Sequence, residues 1–325
     1  MLSSQSQARQ GEAPAAGGRV AQGISAATVA MVAWGFSGVL VVLIKLPGMV
    51  VALYRLWLGA PFIGLLLIAS RRRLSWATLW RAIPGGVLLC GDISMFFSAV
   101  KLTSIADASV IGALQPALVL FLARPLFGER VMPTDVAWTA VAIAGVGIVV
   151  LGGGSAGTHP AAGDLLAFGS LCAWTGYWLV SKHVRSPARA TPGVPDGGSG
   201  GGSLGSIEYT SGVMLVAAVA IIPVALASGA RLSLGTPSDW LWLGVMTVVP
   251  GSAHLALNWA HRFVSVSVSS VIVSVSPVVA AASAAVVLGQ SLDFLQIAGG
   301  LVAILAVAMV ARRAARLDGP EGPGA

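Results

Sequence analysis

Ser109-Val110-Ile111-Gly112-Ala113-Leu114-Gln115-Pro116 and Ser270-Val271-Ile272-Val273-Ser274-Val275-Ser276-Pro277 lie 161 residues apart in one chain, and each ends on a proline inside an apolar run. Gly128 and Gly289 keep the same spacing behind them, and Ala99 with Lys101 keeps it ahead as Ala260 with Arg262. Nearer the amino terminus, Gly23, Ala33 and Trp34 return 140 residues later as Gly163, Ala173 and Trp174. Alanine and valine coincide readily in apolar sequence; the Trp, Pro and Gly matches at constant offset are what point to duplication. The offset grows by 21 residues between the two sets, the length of the glycine-rich stretch from Ser186 to Ser206.

Of the 325 residues, 56% are hydrophobic and 10% charged, against roughly 25% charged in an ordinary soluble domain. That balance excludes a water-soluble fold. About 20 apolar residues in a helix span the roughly 30 Å hydrocarbon core, where every backbone amide must be bonded internally. Apolar runs between charges and Pro/Gly breaks predict helices at 24–44, 49–70, 81–100, 107–126 and 134–152. A second set is expected at 163–182, 207–228, 239–259, 264–288 and 293–311. The fold class is therefore an all-α integral membrane protein of ten transmembrane helices in two five-helix repeats. The segments are a polar tail (1–21), the first repeat (22–152), a connection (153–162), the second repeat with the glycine-rich loop 186–206 (163–312) and a second tail (313–325).

Lys and Arg resist translocation and collect on the cytoplasmic side of short loops. With the amino terminus inside, fourteen of the nineteen basic residues are cytoplasmic, among them Arg71, Arg72, Arg73, Arg130, Arg185, Arg262 and Arg312. Lys45, Lys101 and Arg231 are outside, and Arg55 and Arg124 fall within helices. Both termini are expected in the cytoplasm of a cell whose inner membrane holds the protein. This asymmetry accounts for the net charge of +7, and no basic stripe interleaved with aromatics marks a nucleic-acid surface. No apolar run follows the first methionine closely enough for a cleaved signal peptide. Cys90 and Cys172 read as small hydrophobes within helices.

Five helices per copy is an odd number, so the second copy enters the membrane from the opposite face, which makes the repeat inverted. Two such copies can rock about a central site and expose it to either side in turn. Gln115-Pro116, Leu126-Phe127-Gly128-Glu129-Arg130 and Ile143-Ala144-Gly145 in the first copy answer to Ser276-Pro277, Val287-Leu288-Gly289-Gln290 and Ile297-Ala298-Gly299 in the second. With Ala33-Trp34-Gly35, Arg55, Asp164 and Ala173-Trp174, the pattern resembles the EamA-like branch of the drug/metabolite transporter superfamily over residues 22–312. Gln290 departs from it, standing where the family often has an acidic residue after Gly, so a charge-dependent role for that turn is left to Glu129 alone. The resemblance implies a secondary transporter, often an exporter, of amino acids, other small metabolites or cytotoxic compounds.

An ionisable side chain at mid-membrane costs about 2.5–3.5 kcal/mol even on lenient scales, which makes each one a candidate site residue. Asp92 falls near the middle of the third helix, where it could couple protons, contact substrate or anchor structure. Its counterpart at the 161-residue offset is Ala253, next to His254, with Asn258 one turn on along the same face. The imidazole could hold a substrate or relay a proton, and a buried, satisfied histidine is the plainer alternative. Trp34 and Trp174 fall mid-helix rather than at the interface that rewards an indole, and with Tyr177 they offer a stacking surface or packing bulk. Pro116 and Pro277 each remove an amide donor and free a carbonyl, those of Gly112 and Val273, beside Gln115, Ser274 and Ser276. The expected substrate contacts are therefore Trp34, Asp92, Gln115, Trp174, Tyr177, His254 and Asn258. Arg55, Pro116, Pro277 and Glu129 are assigned gating or structural roles.

Gly35-Phe36-Ser37-Gly38 matches the Gly-x-Ser-Gly of rhomboid-type intramembrane serine proteases, with His254 as a base, but a protease gives the repeat no purpose. A non-transporting membrane scaffold is the other alternative. No His-Glu-x-x-His or Cys/His cluster offers a metal site, no Gly-x-x-x-x-Gly-Lys-Ser/Thr loop holds nucleotide, and no cofactor is expected. The partners expected are a small-molecule substrate and the lipid bilayer, with proton coupling and a homodimer left open.

Overall fold

The computed structural model describes residues 16–102, 111–112, 114–127, 132–152, 161–185, 205–289 and 294–317. Within them the chain is helical: α1 (Ala16–Leu43), α2 (Gly48–Ala69), α3 (Trp76–Leu102), α4 (Gln115–Phe127), α5 (Pro133–Gly152) and α6 (Ala161–Arg185). There follow α7 (Ser206–Ala227), α8 (Pro237–Ala260), α9 (Val266–Ile272), α10 (Val275–Leu288) and α11 (Phe294–Leu317). Six stretches, including Gly18–Leu43, Trp76–Leu102 and Val266–Val287, are long and apolar enough to cross a membrane, and Pro133–Ile148 and Ile297–Val310 are shorter apolar helices. Large side chains such as Leu65, Ile68, Leu226, Val286 and Phe294 stand exposed around the bundle, a surface that lipid tolerates and water does not. The protein is a multi-pass membrane protein.

Helix ends differ from the sequence expectation where caps rather than hydropathy set them. The third helix, expected at 81–100, starts at Trp76 because the Ser75 hydroxyl accepts the amide of Thr78 at 3.1 Å, an N-cap that satisfies one orphan donor. Arg81 therefore rides on the helix. The last helix, expected to stop at 311, continues to Leu317, and Arg313 on the added turns pairs with Asp135 at 2.7 Å.

The ninth expected span, 264–288, is present as the apolar stretch Val266–Val287, but its helix is interrupted between α9 and α10. Pro277 has no amide to offer the carbonyl of Val273, so the chain closes on tighter bonds: Val273 N to Ser270 O (3.2 Å), Ser274 N to Val271 O (3.0 Å) and Ser276 N to Val273 O (2.8 Å). The Val273 carbonyl, expected to be free, is thus occupied by Ser276. Around Pro116 the same device recurs, with Leu114 N on Ile111 O at 3.1 Å and Ala117 N on Leu114 O at 3.1 Å. The start of the fourth expected span, 107–110, lies outside the described residues, as do Gly128, Glu129, Arg130 and Gln290, residues 186–204 of the glycine-rich loop and both terminal tails beyond 16–317.

The helices pair across the two halves of the chain: α3 packs on α6, α1 on α8, α2 on α7, α5 on α11, α1 on α10 and α4 on α6. At the α5–α11 crossing Gly145 and Gly299 face each other, and a Cβ on Gly145 would stand 2.8 Å from Gly299 O while one on Gly299 would stand 2.7 Å from Gly145 O. Only glycine permits that backbone approach.

Two ends of the bundle can be told apart by their ties. At one, Lys101 Nζ donates to Val41 O and Ile44 O (3.2 and 3.1 Å), and Asp239 Oδ1 accepts the amide of Lys45 at 2.7 Å. At the other, Lys182 Nζ donates to His261 O and Val264 O (2.6 and 3.0 Å), and Arg72 pairs with Glu208 at 3.2 Å. An ammonium set against the last carbonyls of a neighbouring helix opposes that helix's negative pole. The second end also carries Arg71, Arg73, Arg81, Arg185, Arg262 and Arg313 and is the basic end.

Candidate functional site

A cavity of about 200 Å³ sits between the halves, lined by α1, α2, α3, α6, α8 and the interrupted segments around Pro116 and Pro277. It receives Trp34, Asp92, Gln115, Trp174, His254, Arg55, Pro116 and Pro277 from the residues singled out in the sequence. Its lining on the long helices runs from Met31 to Val41 on α1, from Asp92 to Val100 on α3 and from Ala167 to Trp174 on α6. All three stretches lie toward the end opposite the basic one.

Two indole rings and an imidazole form the floor. The rings of Trp34 and Trp174 meet edge-on with centroids 4.8 Å apart, and His254 stands 4.9 Å from Trp34 and 6.0 Å from Trp174. Tyr177 stacks under Trp174 at 5.5 Å. The indoles are fixed by their donors, Trp34 Nε1 on Pro250 O at 3.0 Å and Trp174 Nε1 on Gln115 Oε1 at 3.1 Å. Each tryptophan presents its apolar face while its one polar atom is already paired.

Asp92 on α3 accepts a 2.6 Å bond from the hydroxyl of Ser170 on α6. Arg55 enters from α2 and lays its guanidinium over the Phe97 ring, 5.1 Å from the centroid, a cation–π contact. Asp92 and Arg55 line the same cavity without forming an ion pair with each other. Four polar side chains of the lining have buried atoms with no hydrogen-bond partner among the described residues: Ser37 Oγ, Gln115 Nε2, both ring nitrogens of His254 and Ser274 Oγ. A buried polar atom left unpaired costs about 1–3 kcal/mol, so these atoms are available to something that enters. The Ser37 hydroxyl and the His254 nitrogens, the pair a protease would need, are not bonded to each other.

Tyr177 and Asn258 do not line the cavity. They pack beneath its floor, where Asn258 Nδ2 donates to Tyr177 Oη and to Thr210 Oγ1, both at 3.0 Å. Asn258 shares one helical face with His254, but the α8 register that turns His254 to the cavity carries Asn258 a turn deeper, into the contact with α6 and α7. Glu129 lies outside the described residues. Sequence reasoning passed over Ser170 and gave Ser37 only as a nucleophile. Ser170 was within reach, since it precedes Trp174 by four residues and so shares its helical face.

The comparisons with known proteins agree with this architecture. The model of the EamA-like transporter family matches the chain twice, over residues 21–151 and 161–312. A crystal structure of another protein superposes with a TM-score of 0.72 at 20% identity, covering 90% of this chain and 98% of that one, a likeness that shows the fold. No curated protein sequence matches the chain. With both repeats matched across nearly the whole length, the chain belongs to the EamA-like transporter family.

Proposed function

We propose that the protein is a secondary transporter that moves small organic metabolites, in the direction of export, across the cytoplasmic membrane by alternating access. The observation that carries this reading is the cavity at the meeting of the two halves, whose lining residues Ser37, Gln115, His254 and Ser274 keep buried polar atoms without a hydrogen-bond partner among the described residues. Polar groups are expensive inside a bilayer and are kept there where they meet a cargo or an ion. The cavity is smaller than the roughly 300–1,000 Å³ of drug-sized sites, which favours a compact metabolite over a bulky cytotoxic compound. Asp92 and Arg55 offer opposite charges to one ligand, and the Trp34 and Trp174 faces offer it apolar cover.

The paired packing supports an inverted arrangement of ten spans, with α9 and α10 as two pieces of one span. Under a two-fold axis in the membrane plane α1 maps onto α6 and α3 onto α8, so the α1–α8 contact is the image of the α3–α6 contact, and α5 with α11 maps onto itself. Gly145 and Gly299, equivalent residues of the two copies, meet across that axis. The basic end faces the cytoplasm by the positive-inside rule.

The test is uptake of a metabolite panel into proteoliposomes, run with and without an imposed proton gradient. Saturable movement of at least one small metabolite, reduced by Trp174→Ala, is expected. A panel in which nothing moves faster than through protein-free vesicles removes the proposal.

A further inference from the structure

Between the cavity floor and the basic end lies a second polar cluster that does not line the cavity. Arg185, the last residue of α6, is 5% exposed. Its Nη1 donates to the backbone carbonyl of Asn258 on α8, and its Nη2 donates to Ser206 Oγ on α7 at 2.7 Å. Asn258 ties α8 to Tyr177 and Thr210 as described, and Ser181 and Tyr209 share a 3.1 Å hydroxyl bond beside them. Three helices, α6, α7 and α8, are thereby joined at the end where the cavity is shut.

The chemistry of this joint is lopsided. No carboxylate is in ion-pair distance of Arg185 among the described residues, where the ion pairs are Arg72–Glu208 and Arg313–Asp135. Its Nε is buried without an acceptor, and so is Asn258 Oδ1 without a donor. A full charge held out of water by neutral partners costs several kcal/mol that its hydrogen bonds recover only in part. Parting α6 from α7 and α8 would return the guanidinium to water and relieve that cost.

We propose that Arg185 is a built-in opener of the cytoplasmic gate: a buried cation, with no carboxylate in ion-pair distance among the described residues, that keeps the closed inner end close in free energy to its open form. The inference rests on the transporter reading for its purpose, but its physics concerns only the inner seal. Ala253 supplies the reporter. It is the repeat counterpart of Asp92, which lines the outer-facing cavity, and it is 2% exposed here, so an inner opening brings it to the cytoplasmic side. Removing Arg185 orphans little, because Ser206 Oγ already reaches the Asn258 carbonyl at 3.4 Å.

The experiment places Ala253→Cys in a Cys90→Ala, Cys172→Ala background of the full-length protein and follows alkylation by a charged, membrane-impermeant maleimide added from the basic face. Arg185→Met and Arg185→Lys are compared with the parent, and thermal unfolding is measured for each. Alkylation of the parent, slowed about tenfold or more in Arg185→Met with a midpoint of unfolding raised by a few degrees, is the expected result. Arg185→Lys, which keeps a charge at that site, should stay near the parent rate. Faster alkylation or a lower midpoint in Arg185→Met would mean that the guanidinium is an ordinary lock, and the proposal fails. An unreactive Ala253→Cys parent overturns it as well. Should Ala253→Cys behave as expected while no metabolite is transported, the transporter reading falls and the gate stands.

Discussion

Asp92 and its neighbours give the site its chemistry one side chain at a time. Under the transporter proposal, this carboxylate, held by a single hydroxyl from Ser170, is the group whose charge would change during a cycle. Replacing Asp92 with Asn keeps the shape and the Ser170 contact but abolishes ionisation. Uptake in proteoliposomes should fall roughly tenfold or more and lose its dependence on pH; an unaltered rate and pH profile would remove Asp92 from the mechanism. Trp174→Phe preserves an aromatic wall while deleting the bond to Gln115. The loss of one hydrogen bond, about 0.5–1.5 kcal/mol, should appear as a few-fold rise in the apparent KM with little change in the maximal rate. Much of this was legible in the sequence, because charge, proline and mid-helix tryptophan are conspicuous in apolar surroundings. What the sequence did not disclose was depth along a face: Tyr177 and Asn258 occupy the same helical stripes as Trp174 and His254 yet sit under the floor, and only the packing of α6 on α8 distinguishes the layers.

Among the elements, the two interrupted spans and the α5–α11 pair behave in opposite ways. Proline makes α9 and α10 two short rods with polar backbone and Ser274 at the joint, whereas Gly145 and Gly299 press two long helices into direct backbone contact. A valine at Gly145 would overlap Gly299 O and the Ala303 backbone, and overpacking of that kind costs about 1–3 kcal/mol. Gly145→Val should therefore lower the unfolding midpoint in detergent, and Gly145→Ala less so; equal midpoints for Gly145→Val and the parent would show that the helices can separate at no cost. The sequence indicated where these helices lie, but the Ser75 cap and the break before Pro277 were not visible in it, since hydropathy registers lipid solubility and is blind to which amide meets which carbonyl.

For the molecule as a whole, the arginine-rich face and the pairing of halves predict an orientation. A reporter fused after Ala325 that is active only in the cytoplasm should be active, and one inserted after Arg231 should not; the reverse pattern would overturn the topology. Duplication was readable from Trp34 with Trp174 and from Pro116 with Pro277, while the way the copies clasp each other came from contacts between helices far apart in the chain, which no local pattern encodes. Gly145 and Gly299 add a mechanical corollary. At the Gly145–Gly299 crossing main chain meets main chain, with Ile148 and the small Ala303 beside it, so little side chain is there to slide or swap rotamers. Under the alternating-access proposal the α5–α11 joint is thus the pivot, and the rocking of the remaining helices turns about it with its amplitude growing toward the far side, where Asp92 and His254 wait.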